Sequence, residues 1–223
     1  MFTSSVGKKL VMSFTGIFLI LFLIIHASLN ACIWANDGGE MFNKGAHFMG
    51  SNIVPRILEI GLFIGLILHI IQGLMLAIQN RRARGVQYAV SYGNRGSKWY
   101  SRSMALLGTL VLIFLILHLS NFWLPNRSSQ GLSLGNEIDL YSKMKETFSG
   151  NDITTVLTIF VYVLGCSALG YHLAHGFQSA FKTIGVHNKR YHLLLTSIGY
   201  GFSVIIAITF AMMPLSFHFG WLQ

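Results

Sequence analysis

Cysteine is scarce in this chain: Cys32 and Cys166 are the only two, and neither a CxxC nor a CxxCH arrangement occurs. That spacing excludes the usual signatures of a zinc site, a redox dithiol or a covalently attached haem, and leaves both thiols as expected buried apolar fillers. Charge is scarce as well. Asp, Glu, Lys and Arg make up 10% of 223 residues against 53% apolar residues, and mean hydropathy is +0.58, a balance that excludes an ordinary soluble domain. The alternation of polar and apolar residues expected of a membrane strand is missing, and no internal repeat or low-complexity tract interrupts the chain.

What remains is apolar sequence in runs long enough to cross a bilayer, which needs about 20 helical residues. Five such runs cover approximately residues 10–34, 53–79, 103–124, 153–181 and 193–217. The expected fold is therefore an all-α integral membrane protein, a single anchor domain over residues 1–223 built as a five-helix transmembrane bundle, because an isolated span must satisfy its backbone internally. The first run follows Lys8 and Lys9 but is longer than the 7–15 residue core of a secretory signal, and four spans follow it, so it is expected to be retained.

Of 16 Lys and Arg residues, 11 fall on one side of this bundle: Lys8, Lys9, Arg81, Arg82, Arg84, Arg95, Lys98, Arg102, Lys182, Lys189 and Arg190. That side has no Asp or Glu; all seven carboxylates, Asp37, Glu40, Glu59, Glu137, Asp139, Glu146 and Asp152, belong to the other side. The positive-inside rule puts the N-terminus in the cytoplasm and the C-terminus outside. Contact with water and lipid headgroups accounts for the net charge of +9 without nucleic acid. The basic loop from Arg81 to Arg102 also offers a surface for a cytoplasmic partner. On the outer side, Ile138, Tyr141, Met144 and Phe148 recur at helical spacing and predict a short helix lying in the headgroup region.

Nine histidines are present, and four of the five spans place at least one within the apolar zone: His26, His69, His118, and His172 with His175. His47, His187, His192 and His218 fall in loops or at helix ends. One intramembrane histidine is as well explained by a hydrogen bond to a neighbouring helix as by ligation, but one per span over four spans favours ligation. Counting from the basic boundary, His26 is 17 residues beyond Lys9 and His118 is 16 beyond Arg102, roughly 25 Å deep. His69 is 12 residues before Arg81 and His172 is 10 before Lys182, roughly 15–18 Å deep. Two levels result, an outer pair and an inner pair.

Residues four positions away share each histidine's face. Gly65 and Gly73 flank His69, and Ala168 and Gly176 flank His172, which reads as room for a flat porphyrin. Phe22 and Asn30 flank His26, and Phe114 and Phe122 flank His118. Two imidazoles facing each other from different helices hold a haem iron from both sides, whereas zinc would want four converging ligands. Two such haems with both axial positions filled suit electron transfer. His172 matches His69 in depth and has the small residue four positions on; His175 is the alternative ligand.

The opening SSVGKKLVMSFTGIFLILFLIIHASLN, the ordered histidines of the first four spans, and HLAHGFQSAF with its H-x-x-x-G pattern resemble the cytochrome b membrane anchor of succinate dehydrogenase and fumarate reductase. The likeness is to the single-chain, five-helix, di-haem form and covers nearly the whole length. It implies two haems b, held by His26 with His118 and by His69 with His172, in the cytoplasmic (inner) membrane of a bacterium. It also implies a flavoprotein subunit, an iron-sulfur subunit docked on the cytoplasmic face, and a membrane quinone, menaquinone being the expected species. Asn30, Glu59 and Asn121, with Trp34 and Asn52, are the polar residues at the outer level available to a quinone; for Glu59, a helix N-terminal turn, where negative charge is favourable, is the simpler reading. A haem b subunit of a hydrogenase or formate dehydrogenase, and a transporter with structural histidines, are the competing readings.

Overall fold

The computed structural model describes residues 5–83, 103–130, 138–185 and 188–222, and among these every regular element is helical. Five helices among the described residues are long and apolar enough to cross a membrane. In chain order α1 is Ser5–Ala31, followed by a 3₁₀ turn Cys32–Ala35; α2 is Glu40–Ser51; and α3 is Ile53–Ala83. Then α4 is Met104–His118, which continues through a π-helical turn Leu119–Trp123 into α5, Leu124–Gln130. The last three are α6, Leu140–Phe148; α7, Ile153–Thr183; and α8, Lys189–His218, with Pro214 inside it. Most of the basic loop expected to meet a partner, and Glu137 and His187, lie outside the described residues.

The spans bury little of themselves. Ile57, Ile60, Ile64, Ile67 and Ile71 along α3 are all about half exposed or more, as are Leu106, Ile113 and Ile116 of α4. Such faces suit lipid, which solvates an isoleucine as well as a protein core does, so helix association must come from close packing rather than from hydrophobic burial. Small residues supply it between α7 and α8: a Cβ on Gly170 would lie 2.8 Å from the Cβ of Ala207, and one on Gly199 would lie 2.8 Å from the Phe177 ring. Ser13 of α1 adds a buried hydrogen bond, its hydroxyl donating to the Ala180 carbonyl of α7 at 2.7 Å.

Packing runs from α3 to α1, from α1 to α7 and from α7 to α4, with a lighter contact closing α4 onto α3; α8 lies against α7 and α1. Thus α1, α3, α4 and α7 form a ring of four. Neighbours around the ring touch, while the two diagonals, α1 with α4 and α3 with α7, are not among the packed pairs.

One end of the ring carries the basic helix ends, with Arg81 and Arg82 closing α3 and Lys182 closing α7. The other end is capped. There α6 buries Tyr141, Met144 and Phe148 in one cluster with Ile33, Phe42, Ile159, Tyr162, Met213, Phe217 and Leu222. The apolar stripe that predicted a headgroup helix is therefore spent on the protein, because α7 and α8 offer aromatic surface within reach. Asp139 caps α6, accepting from the backbone N–H of Ser142 at 3.0 Å, and Asn43 of α2 donates to the same carboxylate at 2.8 Å. Tyr141 lies over Gly39, where φ is +88° and a Cβ would fall 2.2 Å from the ring. Only glycine takes both that backbone and that contact without strain. Cys166 is buried as expected, but Cys32 is only partly so.

Candidate functional site

The two diagonals of the ring are the two histidine pairs. His26 of α1 and His118 of α4 have ring centroids 5.8 Å apart, and His69 of α3 and His172 of α7 have centroids 6.2 Å apart. An imidazole nitrogen sits about 2 Å from a first-row metal and about 1.1 Å from its own ring centre, so two rings ligating one iron in trans would be about 6.3 Å apart centre to centre. Both pairs lie near that separation, and each bridges helices that are not among the well-packed pairs. Among the described residues no three His, Cys, Asp or Glu side chains converge as a metal site. The donor set is pairs of imidazoles, which fits a haem iron whose other four ligands come from the porphyrin.

The spacing between the levels can be read along two helices. Gly16 of α1 lies beside the ring of His69, where a Cβ would be 3.6 Å from Cε1. Gly108 of α4 lies beside the ring of His172 in the same way, at 3.7 Å. Gly16 precedes His26 by ten residues and Gly108 precedes His118 by ten, so both helices put the levels about 15 Å apart.

The glycines chosen from spacing have other neighbours. A Cβ on Gly65 would lie 3.1 Å from the Phe18 ring and one on Gly73 would lie 3.5 Å from Met12 Cε, so both face α1 and let α3 approach it. Gly176 has open space at its Cβ position. Gly16 and Gly108 were not singled out by the sequence. Being on helices other than those of the histidines they touch, they leave no mark at the histidines' own i ± 4 positions.

The outer pair is walled by aromatic rings. Phe22 and Phe210 lie 5.1 and 5.5 Å from His26; Phe114, Phe122 and Tyr162 lie 5.7, 5.6 and 6.3 Å from His118. Tyr162 is 4% exposed, and both it and Phe122 also meet Phe148 of α6, so the cap reaches the outer pair through these two side chains. Asn30 donates to the His26 carbonyl at 2.8 Å and its amide lies 3.4 Å from His26 Nδ1. Asn121, in the π turn just after His118, donates to the Tyr162 hydroxyl at 3.0 Å. The turn advances side chains by one extra residue, which brings Trp123 to Glu59: Trp123 Nε1 donates to that carboxylate at 2.6 Å.

Glu59 is not in the first turn of α3, which begins at Ile53; its charge is held instead by Arg127 of α5, which donates to both carboxylate oxygens. Arg127 was not foreseen, since nothing local links it to a residue 68 positions earlier. Trp34 donates to the Ser216 hydroxyl at 3.1 Å, and Asn52 donates to the Phe48 carbonyl at the end of α2 at 3.0 Å. His175 lies on α7 one turn nearer the basic end than His172, and the ring opposite His69 is that of His172. His47 is exposed on α2, and His218 ends α8 with its ring 5.3 Å from Phe219.

Fold and site together define a multi-pass helical protein whose four-helix ring carries paired imidazoles at two depths. The chain is 27% identical over 172 residues to the succinate dehydrogenase cytochrome b558 subunit of Bacillus subtilis (strain 168), a match that covers 77% of this chain and 73% of that protein. No family model matches the chain, and no solved structure matches it.

Proposed function

We propose that the chain is the di-haem cytochrome b membrane anchor of a succinate:quinone oxidoreductase, working as succinate dehydrogenase or fumarate reductase. The observation that carries the reading is the two imidazole couples, with ring centroids 5.8 and 6.2 Å apart, on the two diagonals of one ring. His26 and His118 hold the outer haem b; His69 and His172 hold the inner one. A bound haem b supplies a one-electron iron couple. Of the chain's own side chains, the four imidazoles would hold the two groups, and the aromatic wall around His26 and His118 excludes water.

The basic end faces the cytoplasm and meets the iron-sulfur subunit, which joins the flavoprotein that interconverts succinate and fumarate. A quinone, menaquinone in this reading, reacts at the capped end. Asn121 with Tyr162, and Glu59 with Trp123 and Arg127, are the polar groups there that can orient its oxygens, and Asn30 lies beside His26. The protein resides in the cytoplasmic membrane of a bacterium.

The test is a haem count on the purified full-length chain and its variants. Two haems b are expected, with one lost in His69→Leu or His172→Leu, the other lost in His26→Leu or His118→Leu, and both kept in His175→Leu. Flavoprotein and iron-sulfur subunits should co-purify. A wild-type chain without reduced-minus-oxidised haem b bands sinks the reading, and hydrogenase or formate dehydrogenase subunits in place of the expected partners would reassign it.

A further inference from the structure

The two imidazoles of the inner pair are held differently. Thr15 of α1 places its hydroxyl oxygen 2.8 Å from the Val11 carbonyl, 3.2 Å from the Met12 carbonyl and 3.2 Å from His69 Nδ1. A threonine hydroxyl has one proton, and carbonyls only accept, so that proton goes to the preceding turn of α1. The contact with His69 must then run the other way, with Nδ1–H donating to a lone pair of Thr15. This fixes the tautomer and leaves the lone pair on Nε2. Gly16, next in sequence, has no side chain to hold the ring away.

His172 leans in the same manner on Gly108 of α4, but the residue before that glycine is Leu107, buried and without a hydroxyl. Correspondingly, His172 Nδ1 is buried and has no hydrogen-bond partner among the described residues. Each inner histidine therefore rests on a glycine of the adjacent helix, and only His69 also has an acceptor there. At the outer level the polar neighbour of His26 comes from its own helix, Asn30.

We infer that Thr15 is a positioning residue for the inner haem: through the hydrogen bond to Nδ1 it orients His69, sets Nε2 as the ligating nitrogen and makes the imidazole more basic. This rests on the two-haem reading above. An acceptor on the distal nitrogen of a ligating imidazole raises its donor strength and stabilises the higher metal charge, so Thr15 holds the inner potential down.

The experiment compares the full chain with Thr15→Val, which keeps the shape and removes the acceptor, and Thr15→Ser, which keeps the acceptor. Haem b is counted and both haems are titrated potentiometrically, the inner one being identified as the wave absent from His69→Leu. Thr15→Val should keep the outer wave and raise the inner potential; a tenfold fall in the ferric-to-ferrous ratio at fixed potential is about 59 mV for one electron. Thr15→Ser should titrate as wild type. Loss of the inner haem in Thr15→Val alone, restored in Thr15→Ser, supports the same role, since such partners contribute about 10–100-fold to metal affinity. An unmoved inner potential in Thr15→Val, or equal changes in both variants, overturns the inference. A wild-type chain without haem removes it together with the reading it rests on.

Discussion

If the two histidine levels hold haems, the distribution of one electron between them should respond to membrane voltage by a calculable amount. The levels are about 15 Å apart by helix rise, half of an apolar core about 30 Å thick. A full crossing is worth about 2.3 kcal/mol per charge per 100 mV, so half of it is worth about 1.1 kcal/mol. That is about a sevenfold change in the ratio of outer to inner reduced haem. The assay is the half-reduced complex in sealed vesicles of known orientation, with a potassium diffusion potential imposed and haem bands recorded. Making the basic face negative by 100 mV should favour reduction of the outer haem by about this factor, and reversing the sign should reverse it. A ratio that does not move with voltage would mean that the imidazole pairs lie at one depth, and would refute the spacing read from Gly16 to His26 and from Gly108 to His118.

Phe148→Ala should loosen the cap. The ring is 1% exposed and packs on Phe122 and Tyr162, and its truncation costs about 3–5 kcal/mol, so hydrogen exchange over residues 140–148 should accelerate about a hundredfold or more while residues 172–183 keep their protection. The Asp139 carboxyl is opposed by partial burial, yet hydrogen bonds from Ser142, Asn43 and the Tyr141 backbone hold it below its usual 3.8. A depressed carboxyl stabilises the fold above its ordinary value and loses that contribution as pH falls through the folded one, so protection of the first turn of α6 should be level from pH 8 to about 5 and decline below about 4. In Asp139→Asn that decline should disappear; its persistence would assign the acid sensitivity elsewhere.

The number of spans, the charge asymmetry between their ends and the two depths of histidine are all properties of position along a helix, and a helix axis converts sequence number directly into height. Counting therefore put His26 level with His118 and His69 level with His172 before any packing was known. The apolar stripe of α6 was legible for the same reason, being set against charged neighbours.

Angular position around the spans was not legible. A soluble helix marks its inner face by contrast with a polar one, but here lipid and protein interior are equally apolar, so α3 and α4 read the same on every side. Only the packed ring decided that Gly65 and Gly73 turn toward Phe18 and Met12, that Gly16 and Gly108 receive the inner histidines, and that Thr15 meets His69. The π turn after His118 and the pairing of Glu59 with Arg127 belong to the same class. They depend on contacts between residues far apart in sequence, and hydropathy along a single helix carries no record of what stands beside it.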